Sequence, residues 1–481
     1  QLVVQLAEQN AQISEQIANI ASELDGLALQ TSESNKLARQ IEDDYKSARE
    51  SIEIGGLSQD LGHLLLQQRK SLPELRQLRR QAKEREEKAM QTGVQRLRHR
   101  QEQGRIRHQE AYVAGIALGA GEEDSPMLRG QLHALATERQ ALLLKAIESD
   151  DFYLRKLGEL EASQQRLLEA IDGYDKFLDI HLLWVRSASP TQVEALGTLP
   201  EDIWRILSPK GWHEVVQSLR YQAMHSPVFV LLAAVLGILI WRRKRFVASI
   251  RSTSKMLGKP TTDRYYFTIQ AFILTMIVSA TWPLAMVVIG WQLKVSVEGT
   301  NFSSAVGASL IALALHTFYI RALRWIIIPG GLAAEHFRWP ESILRLLRRE
   351  MDRLTWIFLP AVTVAFLSFN LDPLSFGREF GQAAFVIVIG SVAATFFFLL
   401  HPHNGVFTGY VRRRGSRTLS HLLRLFHLLL PASLLLLIGL TLMGYMYTAG
   451  TLFAMTVSTA WLVGDLIIVS ELVQRWLLVT R

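Results

Sequence analysis

From about Ser226 onward the chain is a row of apolar stretches, and Arg and Lys crowd every second connection between them. A bilayer's hydrocarbon core is roughly 30 Å thick and a helix rises about 1.5 Å per residue, so about 20 apolar residues cross it. Seven stretches reach or approach that length, at roughly 221–241, 267–293, 305–328, 354–369, 383–402, 427–449 and 451–474. The fourth is short and is extended by the amphipathic segment before it.

The connections orient the array. Arg242, Arg243, Lys244, Arg245, Arg251, Lys255, Lys259 and Arg264 follow the first stretch. Arg338, Arg345, Arg348, Arg349 and Arg353 separate the third from the fourth, and Arg412, Arg413, Arg414, Arg417 and Arg424 separate the fifth from the sixth. The alternate connections hold only Lys294 and Arg378. Short loops rich in Lys and Arg stay in the cytoplasm, which makes Arg242, Arg243, Lys244, Arg245, Arg412, Arg413 and Arg414 cytoplasmic-face anchors. Residues 1–225 are then expected outside, in the periplasm of a bacterial inner membrane.

Average composition, 49% hydrophobic and 20% charged, hides two unlike halves. Residues 1–225 are rich in Gln, Glu, Arg and Leu, while charge in 226–481 is confined to short connections. The net charge of +8 sits mainly beside the membrane, where it favours anionic lipid headgroups and not nucleic acid. The absence of cysteine excludes disulfides, thiolate metal sites and cysteine nucleophiles. The chain opens at Gln1 without a signal-peptide pattern and stops at Arg481 just after an apolar stretch, which suggests a processed chain or a fragment with a C-terminal continuation.

In the first half, Ile13, Ile17, Ile20, Leu24 and Leu27 form a helix seam of coiled-coil spacing, and Leu37, Ile41, Tyr45, Ala48 and Ile52 form another. Gly55-Gly56 breaks the pattern. Ser71-Leu-Pro73 starts a long polar helix running toward Gly119, Ser125-Pro126 starts the next, and a further helix is expected from about Asp151. The basic residues between Arg76 and Arg107 read as a solvated face with intrahelical ion pairs; a contact with anionic cell-wall polymer or lipid is the alternative. Trp204 and Trp212 mark a short amphipathic stretch, either interfacial or a packed connector. The expected class is all-α. An elongated helical-hairpin or coiled-coil extracytoplasmic domain (1–190) and a connector (191–225) precede a polytopic membrane domain (226–481) of about seven spans.

Arg353-Leu-Thr-Trp-Ile-Phe-Leu-Pro360-Ala361 is similar to Arg424-Leu-Phe-His-Leu-Leu-Leu-Pro431-Ala432, which suggests a repeated hairpin of about 71 residues. With Pro283, these prolines are candidate kinks, because Pro deletes a backbone hydrogen bond. No nucleotide-binding, metalloprotease or serine-hydrolase motif occurs, so no enzymatic activity, metal or cofactor is expected. His401 and His403 read as interfacial residues and His316 as a packed one. Asp465 lies inside the seventh stretch, where an acid is costly, and Arg321 is its candidate ion-pair partner.

With that layout, the chain resembles the large bacterial mechanosensitive channels of the MscS superfamily, of the MscK and MscM type. Tyr174-Asp-Lys-Phe-Leu178, Leu182-Leu-Trp-Val-Arg-Ser187, Leu207-Ser-Pro-Lys-Gly-Trp212 and the basic-looped hairpins carry the resemblance. It implies a homoheptamer whose pore opens under lateral tension and releases ions and small osmolytes during hypo-osmotic shock. The spans seen here would form the tension-sensing scaffold around that pore. No Gly/Ala-alternating pore helix and no vestibule occur in these residues, so no pore residue is assigned, and both are expected beyond Arg481. Two other classes stay open on the residues themselves. One is a secondary transporter, which would need polar groups converging at mid-membrane. The other is a membrane-anchored structural or signalling protein whose helical domain binds an envelope partner.

Overall fold

The computed structural model describes residues 2–55, 59–73, 75–107, 110, 112–113, 126–188, 199–254, 264–296, 300–373, 378–407 and 417–480. Every regular element among them is a helix. The chain divides into two compact units, Gln1–Gly56 with Gln67–His181, and Leu57–Leu66 with Leu182–Arg481.

The first unit is built on α1 (Leu2–Gly55), the end of α2 (Gln59–Ser71), α3 (Leu75–Ile106) and α4 (Pro126–Leu182). Both expected seams lie on one continuous α1 of 54 residues, about 80 Å long at 1.5 Å per residue. Ile13 packs with Ile106, Leu143 and Ala146, and Leu27 with Tyr153, Leu157 and Leu160. Each such side chain taken from water contributes about 1.5–3 kcal/mol. The helix expected to start at Asp151 does not start there, because α4 runs through it for 57 residues. Asp150 and Asp151 are occupied across the unit instead of capping a new helix. Asp150 Oδ2 lies 2.9 Å from His99 Nδ1, and Asp151 Oδ1 lies 2.6 Å from Arg96 Nε. The basic face of α3 is therefore only partly self-paired. Arg80 and Glu84 form an i,i+4 pair at 3.2 Å, but Lys88 reaches Glu23 on α1 at 3.0 Å.

The second unit is a serial array. It holds α5 (Leu199–Leu207), α6 (Pro209–His225), α7 (Pro227–Ser254), α8 (Tyr265–Val295), α9 (Asn301–Ile326), α10 (Glu341–Arg353), α11 (Leu359–Leu371), α12 (Arg378–Leu399), α13 (Arg417–Leu442) and α14 (Met446–Thr480). Helix α7 packs on α8, α8 on α9, α9 on α11, α11 on α12, α12 on α13 and α13 on α14. Among the described residues, six helices, one of them α10 continued into α11, are long and apolar enough to cross a membrane, and the bent pair ending in α7 makes up to seven. The core runs through Leu313 and Ile320 of α9, Val362 and Ala365 of α11, Val388 and Ile389 of α12, Leu434 of α13 and Ala449 of α14.

Two boundaries differ from the sequence expectation. The stretch expected over 221–241 is not one helix, because α6 ends at His225 and α7 starts at Pro227 after a 100° bend at Ser226. Ser226 precedes a proline and is extended, at φ −109° and ψ 102°. The sixth and seventh stretches divide at 443–445 and not near 450. Gly444 sits at φ 90°, and Tyr445 N–H donates to Leu440 O at 2.9 Å, so α13 closes with a left-handed glycine.

Candidate functional site

The functional features of the second unit are joints between helices. The first uses Leu207-Ser-Pro-Lys-Gly-Trp212. Pro209 occupies the first turn of α6, where its missing N–H costs nothing. A Cβ on Gly211 would stand 3.0 Å from the Phe302 ring, so glycine allows α6 to approach the start of α9. Trp212 meets Phe302 edge-on at 5.8 Å and donates its indole N–H to Ile206 O at 2.8 Å. Ser218 donates to Ser296 at 3.0 Å and Gln292 to Gln222 at 2.6 Å, fastening α6 to the end of α8. Trp212 thus meets the start of α9 with one edge of its ring while about 40% of it stays exposed, and Trp204 is exposed as well.

The second joint uses Leu182-Leu-Trp-Val-Arg-Ser187. The N–H groups of Ser187 and Ala188 both donate to Gly444 O, at 3.0 and 3.1 Å. Tyr447 N–H donates to Ser187 Oγ at 2.9 Å, and Thr448 Oγ1 donates to Leu183 O at 2.6 Å. The Arg186 guanidinium lies 5.9 Å from the centre of the Tyr445 ring. A helix turn leaves carbonyls without intrahelical partners, and this strap satisfies one of them. Val185 and Ser187 are fully buried, and a Cβ on Gly62 would collide with Val185. Residues 183–188 are consequently locked to the turn between α13 and α14.

The α8–α9 hairpin is held by reciprocal glycines. A Cβ on Gly290 would stand 2.6 Å from Gly307 O, and one on Gly307 would stand 2.7 Å from Gly290 O. The backbones approach closely there, as at small-residue crossings in membranes. Neither glycine was singled out by sequence pattern. The signal was present as one glycine on each of two adjacent spans, but spacing alone does not show that they meet.

The three prolines occupy different backbones. Before Pro360 the helix widens into a π turn at Leu354–Phe358, where Leu359 N–H donates to Leu354 O, five residues back. Pro360 has no N–H to donate, so the turn precedes the residue that breaks the i→i−4 ladder. Helices α8 and α13 continue through Pro283 and Pro431. Near Pro283, Ser279 Oγ donates to Thr275 O at 2.7 Å and Thr281 Oγ1 to Ile277 O at 3.1 Å.

The structure does not bring Asp465 and Arg321 into an ion pair. Tyr319 donates to Asp465 Oδ2 at 3.3 Å and stacks on Trp461 at 4.6 Å. Residues two apart on a helix point to different faces, so Arg321 turns away from α14 when Tyr319 faces it. His316 is packed between Phe358 and Phe366, with Nδ1 3.3 Å from Ala312 O. His401 Nδ1 accepts from the N–H groups of His403 and Asn404, both at 3.3 Å, as a local turn cap. Among the basic anchors, Arg242, Lys244 and Arg245 are exposed, and Arg243 lies over the Trp325 ring at 5.5 Å. Arg412, Arg413 and Arg414 lie outside the described residues.

A serial array of tightly jointed apolar hairpins defines a polytopic α-helical membrane protein. A family model described as the mechanosensitive ion channel inner membrane domain 1 matches residues 226–481, more than half of the chain, and the chain belongs to that family. It is 23% identical over 483 residues to the miniconductance mechanosensitive channel MscM of Escherichia coli (strain K12). That similarity covers 98% of this chain and 42% of the relative, so the chain spans less than half the length of the protein it matches. Residues 226–481 thus belong to a multi-pass inner-membrane protein of the mechanosensitive channel class.

Proposed function

We propose that this chain is the extracytoplasmic and tension-sensing part of a bacterial mechanosensitive channel that releases ions and small osmolytes on hypo-osmotic shock. The observation that carries the proposal is the exposure of apolar surface across a jointed array. In α14 only 11% of the membrane-length window is buried within the chain, against 50% in α12. A helix this apolar and so little covered by its own chain takes lipid or another subunit as its surroundings. A state with larger area in the membrane plane is favoured by tension as a ligand favours the state it binds. The channel assembles as a homo-oligomer, a heptamer by its resemblance to the superfamily. The long helices of 1–190 form a periplasmic coiled-coil-like domain, open to an envelope partner, and 191–225 connects it to the spans. Pro283, Pro360 and Pro431 serve as kinks, while Arg242, Arg243, Lys244, Arg245, Arg412, Arg413 and Arg414 anchor the cytoplasmic face. Asp465 ties α14 to α9 through Tyr319.

Two measurements test the proposal together. The chain has no cysteine, so single cysteines can be introduced without background. Lys46→Cys should react with a membrane-impermeant maleimide added from the periplasmic side, and Arg242→Cys only after the membrane is opened. Membrane patches from cells expressing the complete open reading frame should carry pressure-activated currents that are absent from a deletion strain. Reversed labelling would overturn the orientation, and absent currents the channel function.

A further inference from the structure

The cations near the ends of α9 and α10 are not equally matched. Arg324 Nη2 pairs with Asp352 Oδ1 at 2.8 Å, Arg348 Nη1 with Glu341 Oε1 at 3.0 Å and Arg353 Nη1 with Glu350 Oε2 at 2.9 Å. Arg321 stands apart. Its Nε and Nη2 are buried and have no hydrogen-bond partner among the described residues, and Arg243 and Arg324 are charged neighbours of the same sign. Arg243 reaches this place from α7, its guanidinium over the ring of Trp325. Among the described residues, two guanidinium groups without carboxylates therefore converge where three neighbouring arginines each have one.

A buried guanidinium with free N–H groups is costly unless an acceptor is supplied. Its planar fork matches the oxygens of a phosphate, and tryptophan beside it suits the membrane–water boundary. We propose that Arg321 and Arg243 bind the phosphate of an anionic phospholipid headgroup between the ends of α7 and α9. The inference rests on the proposal that these helices span the membrane. A zwitterionic lipid brings its own ammonium group and would leave the positive charge uncompensated, so a lipid with a net negative headgroup is favoured. Free phosphate offers the same oxygens, but the placement on a spanning helix favours a phosphate tethered to acyl chains. Occupation would join α7 to the α8–α9 hairpin through the headgroup, at a point where residue contacts leave polar atoms unmatched.

The test is lipid retention by the purified complete protein in detergent, followed by native mass spectrometry during titration with phosphatidylglycerol or phosphatidylcholine. The protein should retain phosphatidylglycerol in preference to phosphatidylcholine. Arg321→Gln should weaken that binding about tenfold or more, as loss of charge-assisted hydrogen bonds implies. Arg321→Lys, which keeps the charge but not the fork, should fall between. Arg220→Gln removes an exposed charge on α6, outside the basic anchors, and should leave binding within about twofold of the parent, because exposed charges are well screened. Equal retention by the parent and Arg321→Gln would overturn the site, as would equal losses in Arg321→Gln and Arg220→Gln. Displacement of the lipid by millimolar inorganic phosphate would overturn the assignment to a lipid. Should Arg321→Gln fail to assemble, Arg321→Lys and Arg243→Gln carry the same comparison. Retention is read without current, so failure of the channel proposal and failure of this site are distinguishable.

Discussion

Single residues settle where the chain turns and what each polar group meets. Gly444 closes α13 at positive φ, and its carbonyl receives both Ser187 and Ala188. In the helical unit, Tyr153 donates to Glu23 Oε2 at 2.5 Å, and Lys88 stands beside the same carboxylate. The Tyr153 hydrogen bond first, and Lys88 second, hold the Glu23 carboxyl below its usual range. A carboxyl depressed in the folded state adds stability above its unfolded value of about 4.3, and loses it as pH falls through the lower folded value. Hydrogen exchange around residues 20–27 should therefore speed up as pH falls from about 5 toward 3, after correction for intrinsic rates. Glu23→Gln should flatten that dependence. The carboxylate is about half exposed, so solvent limits the effect to below about 1 kcal/mol. The same pH dependence in both proteins would refute the assignment. These partners were not legible in the sequence. Glu23 and Tyr153 lie 130 residues apart, and nothing in either local pattern joins them. The Asp465–Arg321 expectation failed for a related reason: α9 and α14 do meet there, through Tyr319 and Asp465, but helix phase, which decides what each residue faces, turns Arg321 away.

At the scale of elements, periodicity and breakers served well where the cause was local. The seam residues Ile13, Leu27, Ile41 and Ala48 are all buried on α1. The Ser226-Pro227 break and the Gly444 turn displaced expected boundaries because a hydropathy window averages over a single extended or left-handed residue. The helix expected from about Asp151 proves to be the continuation of α4, whose Asp150 and Asp151 carboxylates serve tertiary partners. Helix pairing carries its own prediction. Gly307→Leu places side-chain atoms where a backbone carbonyl already stands, so it should destabilise the α8–α9 hairpin by about 3 kcal/mol or more. In α1, Gly26 has open space around its Cβ position, and Gly26→Ala should stabilise by about 0.5–1 kcal/mol through helix propensity. Thermal unfolding in detergent checks both. A Gly307→Leu protein as stable as its parent would mean that the two backbones do not cross at the glycines.

For the whole molecule, the alternating basic connections and apolar lengths made the all-α membrane architecture legible, and the quoted motifs led to the family. Two of those motifs prove to be joints: Gly211 and Trp212 dock α6 on α9, and Ser187 fastens the strap to the α13–α14 turn. Their partners, Phe302 and Gly444, lie far along the chain, which is why the motifs could be recognised before their work could be described. The central claim is that kinked hairpins let the array change its area under tension. Pro360 follows a π turn and Pro431 leaves the carbonyl four residues before it without an N–H, so both helices bend more readily than unbroken ones. The most direct measurement is the pressure threshold for opening in membrane patches carrying the complete channel with Pro360→Ala and Pro431→Ala together. Restored backbone hydrogen bonds should stiffen both hairpins and raise the threshold above that of the parent, with normal amounts of protein in the membrane. An unchanged threshold at equal expression would contradict the claim.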